Sequence, residues 1–465
     1  MGRPVDTFES DGLFWLPEKE DNQVAGRVSF DPAKGTRLAL IGGFSEIAFD
    51  DFGNGAQIPV IHGVAGKRFL TFVDCNRVSR RYESPGFTRD EYSADCMFAG
   101  QALLNSNSVK FDRVSVRFNN LYDWIGHSSV SRSHEFDARH KLTKSSLTLT
   151  PFKTIEHAAS GCVITISGIW KILGSEQKPG FEEDFSIGVS YDGAVDFNSI
   201  RADVTVLQDL LTAATDSVCV PTAITLEISP EMGNGEQSTT SVQAYAQQNA
   251  YVGVEKTKSS DMILRLGDIG GVSGVARWID FVRERRVVLG LMLSSTYTKM
   301  YTENKFFNAV SAAETLHRME FPNEVRPADE YKNFRRMLVK YVPKQYRSWL
   351  SQQLAYSNEP RLRDRLAELA EFCGLPTVMN CDGRQWAKAV TDARNRMVHH
   401  DKGKGPEAST VELYWLAESL RVLLLLCLAN FCEFPDGYSE KIRAVPSVDF
   451  ICQRVGELME SSDSD

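Results

Sequence analysis

The 465-residue chain has no C-x-x-C pair, and its nine cysteines, an odd number, are scattered from Cys75 to Cys452. Neither a disulfide framework nor a zinc ribbon is legible, and reduced thiols in a cytoplasm fit best. No apolar run approaches the ~20 residues that span a bilayer. The greasiest, Val422 to Leu428, shares a helical stretch with Glu412, Glu418 and Arg421 and reads as a buried core helix. The stretch from Met1 to Leu16 mixes Arg3, Asp6, Glu9 and Asp11 with apolar residues and lacks the apolar segment of a signal peptide. There is no G-x-x-x-x-G-K-[ST] and no G-x-G-x-x-G, and the glycine-rich Gly267 to Gly274 has no lysine to hold a phosphate. ATP hydrolysis and nicotinamide chemistry are therefore not expected, and no cofactor is called for. A net charge of -9 argues against a protein that coats nucleic acid indiscriminately.

What is present, 42% hydrophobic and 24% charged residues, is the composition of a folded globular protein and excludes disorder, collagen or coiled coil for the whole chain. The length calls for two or three domains. From about Val24 to Gly267 apolar residues alternate, as in Arg37-Leu38-Ala39-Leu40-Ile41, Ser115-Val116-Arg117-Phe118 and Ile224-Thr225-Leu226-Glu227-Ile228. Period two means strands, roughly ten of them, cut by turns such as Asp31-Pro32, Gly53-Asn54-Gly55 and Gly233-Asn234-Gly235. After about residue 300 the spacing turns helical. The predicted class is α+β and multidomain: a β-rich N-terminal domain over 1–295, antiparallel sandwich or barrel-like, then an all-α bundle over 296–465. Residues 275–295 form the connection, with Trp278 to Leu293 read as one basic helix.

Charge is uneven. Between Tyr331 and Lys404 there are 15 Lys+Arg against 7 Asp+Glu, a surface suited to phosphate, although a solvated helical face accounts for the charge equally well.

The helix that opens near Asp382, a good N-cap, carries Trp386, Val390, Ala393 and Met397 at spacings of four, three and four, so one side faces a core. At about 100° per residue, Arg384, Lys388, Thr391, Asn395 and His399 line the opposite side. Gly403 ends the helix, and Ser409-Thr410-Val411-Glu412 is a capping box for the next. A histidine on a helix is more often structural than catalytic, but His399 projects away from the apolar stripe and stands near a helix C-terminus, where the macrodipole favours the imidazolium. Asn395, one turn earlier, can orient the ring.

Arg394, Asn395 and His399 spell R-N-x-x-x-H, and in this helical setting the pattern resembles the signature of the HEPN ribonucleases. Upstream, Phe14-Trp15-Leu16-Pro17-Glu18, Gly26-Arg27-Val28-Ser29-Phe30-Asp31-Pro32, Leu38 to Gly42, Ile61-His62-Gly63, and Phe118 with Leu121-Tyr122-Asp123-Trp124 resemble the N-terminal domain of the ApeA family. Members of that family are bacterial anti-phage proteins that join this domain to a C-terminal HEPN domain. The resemblance implies an abortive-infection effector that cleaves RNA, is built as a homodimer or larger homo-oligomer, and responds through its N-terminal domain to a phage-derived trigger. Cleavage without a metal needs a 2′-hydroxyl deprotonated, a phosphorane stabilised and a 5′-oxygen protonated. A side chain titrating near 6.5 suits both proton transfers and Arg suits the phosphate, so the catalytic set is Arg394, Asn395 and His399, with Arg384, Lys388, Arg396 and Lys402 on the RNA. One histidine serves opposite ends of an in-line displacement poorly, whereas two-fold pairing supplies two.

His400 offers a second frame from Arg394 but falls towards the Met397 side, so His399 is favoured. Glu314 with His317 is a weak candidate for a metal pair or an orienting pair. Cys373 with Cys381, or Cys427 with Cys432, fit buried thiols better than a zinc site. His127, His134, His140 and His157 lack ligand spacing and read as scattered surface residues. The rival from another class is a non-catalytic adaptor whose helical bundle binds a nucleotide or a partner.

Overall fold

The computed structural model describes residues 7–17, 19–44, 57–82, 84–100, 109–175, 177, 179–228, 239–248, 254, 256–398 and 409–462. The chain divides into two compact units, Met1–Arg283 and Glu284–Asp465.

In the first unit, alternating sequence becomes strands with one apolar face. Strands β1 (Phe8–Trp15), β2 (Val24–Asp31), β3 (Gly35–Ile41), β4 (Gln57–Ala65), β5 (Arg68–Tyr82) and β6 (Thr88–Gly100) pair antiparallel in the ring β1-β2-β3-β6-β5-β4 and back to β1. This closed six-stranded barrel leaves no long edge exposed to another chain. Its inward residues, among them Phe14, Val28, Phe30, Leu38, Leu70 and Phe72, are at most 2% exposed and fill the interior. The β4–β5 hairpin turns on Gly66-Lys67, both left-handed at φ 57° and 64°, the geometry that matches the twist of the flanking strands.

The rest of the unit comprises β7 (Phe111–Phe118), α1 (Leu121–Ile125), β8 (Val130–Phe136), β9 (Leu142–Leu149), β10 (Ile155–Ala159), β11 (Cys162–Leu173), β12 (Gly180–Val195), α2 (Phe197–Thr215), β13 (Pro221–Ile228), β14 (Thr240–Ala246) and α3 (Val272–Val282). An open antiparallel sheet runs β10-β11-β12-β7-β13-β14 and joins the barrel through β6. On one edge of β6, Arg89–Ala94 pair with β3 and Cys96–Gly100 with β14, so one strand serves both sheets. Helix α2, capped by Asp196 accepting the Ser199 N–H at 2.8 Å, is tied to α3 by the Trp278 Nε1–H donated to the Val206 carbonyl at 3.0 Å. Arg283, just past α3, pairs with Asp203 at 2.9 Å.

The described residues hold 14 strands against the roughly ten expected: β1 lies before the Val24–Gly267 span that alternates, and the exposed β8–β9 hairpin carries little apolar alternation to read. The single basic helix expected over Trp278 to Leu293 is two, α3 and α4 (Arg286–Tyr297), separated at Arg283–Arg285.

The second unit continues with α5 (Thr302–Glu320), α6 (Ala328–Tyr341), α7 (Arg347–Gln353), α8 (Leu362–Phe372), α9 (Leu375–Met379), α10 (Gly383–Val398), α11 (Thr410–Phe431), α12 (Tyr438–Ala444) and α13 (Pro446–Ser462). Helix α11 is its axis: Val422–Ala429 are buried on every side, as their uniform apolarity requires. Each of its buried leucines contributes about 1.5–3 kcal/mol of transfer free energy, so this greasy run is explained by packing. Among the described residues no helix is long and apolar enough to cross a membrane.

Candidate functional site

Helix α10 begins where the sequence places it. Asp382 Oδ1 accepts the Gln385 N–H at 2.7 Å and its carbonyl accepts the Trp386 N–H at 2.9 Å. Trp386, Val390 and Ala393 are completely buried, and the Trp386 indole N–H donates to Ser419 Oγ on α11 at 2.9 Å. A buried aromatic with a satisfied polar handle fixes the rotation of the helix about its axis. On the opposite side Arg384, Lys388 and Asn395 are exposed, while Thr391 returns its hydroxyl to the Ala387 carbonyl at 2.8 Å.

Arg394 is half-buried and donates from Nη1 to Asn395 Oδ1 at 3.5 Å, a long bond that leaves most of the guanidinium fork available. Among the described residues neither Arg394, Arg384 nor Lys388 has a carboxylate partner. Arg396 differs: Nη2 pairs with Glu412 in the first turn of α11, fastening the end of α10 to the start of its neighbour. Its charge is thereby compensated. Ser409 caps α11, its Oγ accepting the Glu412 N–H at 3.0 Å, while the Glu412 carboxylate is turned to Arg396. His399, His400, Lys402 and Gly403 follow Val398 and lie outside the described residues.

Glu314 and His317 do not act together. Glu314 pairs with Arg318 at 3.1 Å, one turn along α5. His317 is completely buried between Arg365, whose Nη1 lies 3.0 Å from Nδ1, and Glu368, whose Oε2 lies 2.9 Å from Nε2. Arginine only donates, so Nδ1 must accept and the ring proton sits on Nε2, directed at Glu368. Burial pushes the imidazole below its ordinary value and the Arg365 cation adds to that, while the Glu368 bond opposes them. Arg365, itself buried, also donates to Asn323 Oδ1 at 2.6 Å and to the Pro360 carbonyl at 3.1 Å. This network escapes the sequence because its members lie on segments up to 51 residues apart.

All nine cysteines are free thiols, and all but Cys381 are buried. His127, His134, His140 and His157 are exposed. Among the described residues no group of three or more His, Cys, Asp or Glu side chains is arranged to hold a metal ion.

Comparison with protein families gives two matches: residues 9–278 match ApeA N-terminal domain 1, and residues 307–438 match the Apea-like HEPN domain. Comparisons with curated proteins and with solved structures gave no match. The second span contains α10, the Arg394–Asn395 pair and the His317–Arg365–Glu368 network.

Proposed function

Because the chain belongs to the ApeA family of anti-phage, HEPN-containing proteins, we propose that it is an abortive-infection effector that cleaves RNA without a metal. The observation that carries the reading is the arrangement on α10. A fully buried Trp386 face locks the helix, and the opposite face presents Arg384, Lys388 and Asn395, with Arg394, five residues before His399, unpaired by any described carboxylate. In the reaction a base takes the proton of a 2′-hydroxyl, whose oxygen attacks the adjacent phosphorus. The P–O5′ bond breaks as an acid protonates the leaving oxygen, giving a 2′,3′-cyclic phosphate and a 5′-hydroxyl. Arg394 stabilises the charge on the phosphorane, His399 moves protons and Asn395 orients it. Two copies of the motif at a homodimer axis supply a base and an acid on opposite sides of the phosphorus.

RNA contact beyond the scissile phosphate falls to Arg384, Lys388 and Lys402. Arg396, neutralised by Glu412, holds the two helices together instead. The β-rich unit is the sensing and regulatory module, shifting the bundle between inactive and competent states when a phage component binds. The test is incubation of the pure protein with total RNA in excess chelator, with the product ends mapped. Cyclic phosphates are expected. Activity that vanishes with EDTA and returns with Mg²⁺ contradicts a metal-free mechanism.

A further inference from the structure

Between His317 and Arg365, the two residues that clasp each other, the chain leaves the bundle: from Arg318 to Asp364 no residue is buried. This excursion is nevertheless ordered as a helical arm of α6 and α7. The Tyr331 hydroxyl donates to the Leu354 carbonyl at 2.5 Å, and Arg335 Nη2 donates to the carbonyl and hydroxyl of Ser351 at 2.7 and 2.8 Å. At its base Asn358 accepts the Arg326 N–H at 3.0 Å and donates to the Arg326 carbonyl at 2.8 Å, while Arg318 pairs with Glu359 at 2.9 Å.

From Tyr331 to Tyr356 the arm carries six Lys or Arg and no Asp or Glu, in a chain whose total is -9. Lys332, Arg336 and Lys340 recur every four residues, which places exposed cations about 6 Å apart along one side of α6. None of the six forms an ion pair among the described residues. Beside them Tyr341, Tyr346, Trp349 and Tyr356 are 83%, 50%, 59% and 78% exposed. Four large aromatics left in water next to uncompensated cations have no use in packing this unit. The pairing fits a partner with a chain of negative charges and flat apolar faces between them.

We infer that the α6–α7 arm grips single-stranded RNA, its cations on phosphates and its aromatic rings stacked on bases. The inference rests on the ribonuclease reading and adds a second contact surface to it. The arm returns to the bundle at the start of α8. Helices α8 and α10 run antiparallel, since a Cβ on Gly383 at the start of α10 would meet the Ala370 Cβ, near the end of α8, at 3.6 Å. The foot of the arm therefore lies towards the Arg394 end of α10, where a held strand enters the cutting site.

The test measures binding of a labelled, unstructured RNA to the full chain carrying His399→Ala, across salt concentrations. Adding Lys332→Ala, Arg336→Ala and Lys340→Ala is expected to weaken binding about tenfold at low salt and to flatten the salt dependence by about two units of slope. Trp349→Ala should weaken it about tenfold with the slope unchanged. Unchanged circular dichroism and melting temperature verify folding. If the His399→Ala parent binds RNA and the arm variants bind it equally, the arm's role is refuted and the ribonuclease reading stands. If the parent binds no RNA, both fall. A poly-glutamate chain that displaces RNA at equal charge concentration would make the arm a protein-docking surface and also refute the inference.

Discussion

Arg394 makes one long bond to Asn395 and has no carboxylate partner among the described residues, on a helix held in place by other residues, so its loss should be felt in chemistry and not in folding. Arg394→Ala is expected to lower RNA cleavage by about 10²–10³-fold, the cost of deleting one preorganised donor to a developing charge. Asn395→Ala should cost about tenfold, since it orients without transferring a proton. Both variants should keep the parent melting temperature, and loss of soluble protein would place the residue among the structural ones. His317 is the opposite case. Its folded pKa is depressed below the ordinary 6.5 by burial. The unfolded chain therefore takes up the proton first: the stabilisation is complete above that value, is lost as pH falls through it, and levels off once the folded pKa is passed. Denaturant midpoints measured from pH 7.5 to 5 should show this loss, and His317→Gln, which can still accept from Arg365 and donate to Glu368, should flatten it. An identical pH profile in the variant would refute a neutral buried imidazole.

At the level of elements, α10 was legible because every signal it uses is local: an N-cap, a four-three-four apolar stripe and a polar face opposite. Trp386, at the start of that stripe, touches α11 through Ser419. Trp386→Ala is expected to destabilise the helical unit by about 3–5 kcal/mol, measured by chemical denaturation, and to abolish cleavage by letting α10 rotate. A variant that stays stable and active would remove α11 as the brace. The arm was half legible. Its positive charge is plain in composition, yet Phe334, Leu338 and Val342 keep the helical spacing of a core helix, so nothing in the pattern separates them from buried residues. That they stay only partly buried follows from what does not cover them. The clasp that sets the arm's boundaries, His317 to Arg365, joins residues 48 apart and leaves no periodic trace. The barrel was one of two forms the alternation allowed, sandwich or barrel; the choice between them lies in the pairing of β5 with β6 and of β1 with β4, which depends on register between strands and which alternation alone does not specify.

For the whole molecule, the division at Arg283 and Glu284 separates a barrel and sheet from a helical unit that carries the motif and the basic arm. Under the proposed ribonuclease reading, an activity lethal to the host needs restraint, and the separate β-rich module is where that reading places it. The central claim is that the bundle cuts RNA through the motif that begins at Arg394 on α10. Its most direct measurement is the cleavage rate of a defined RNA by the purified full chain, wild type beside His399→Ala, in the presence of chelator. The account predicts steady cleavage to cyclic-phosphate ends by the wild type and none above background by the folded variant. Equal rates for the two proteins would contradict it.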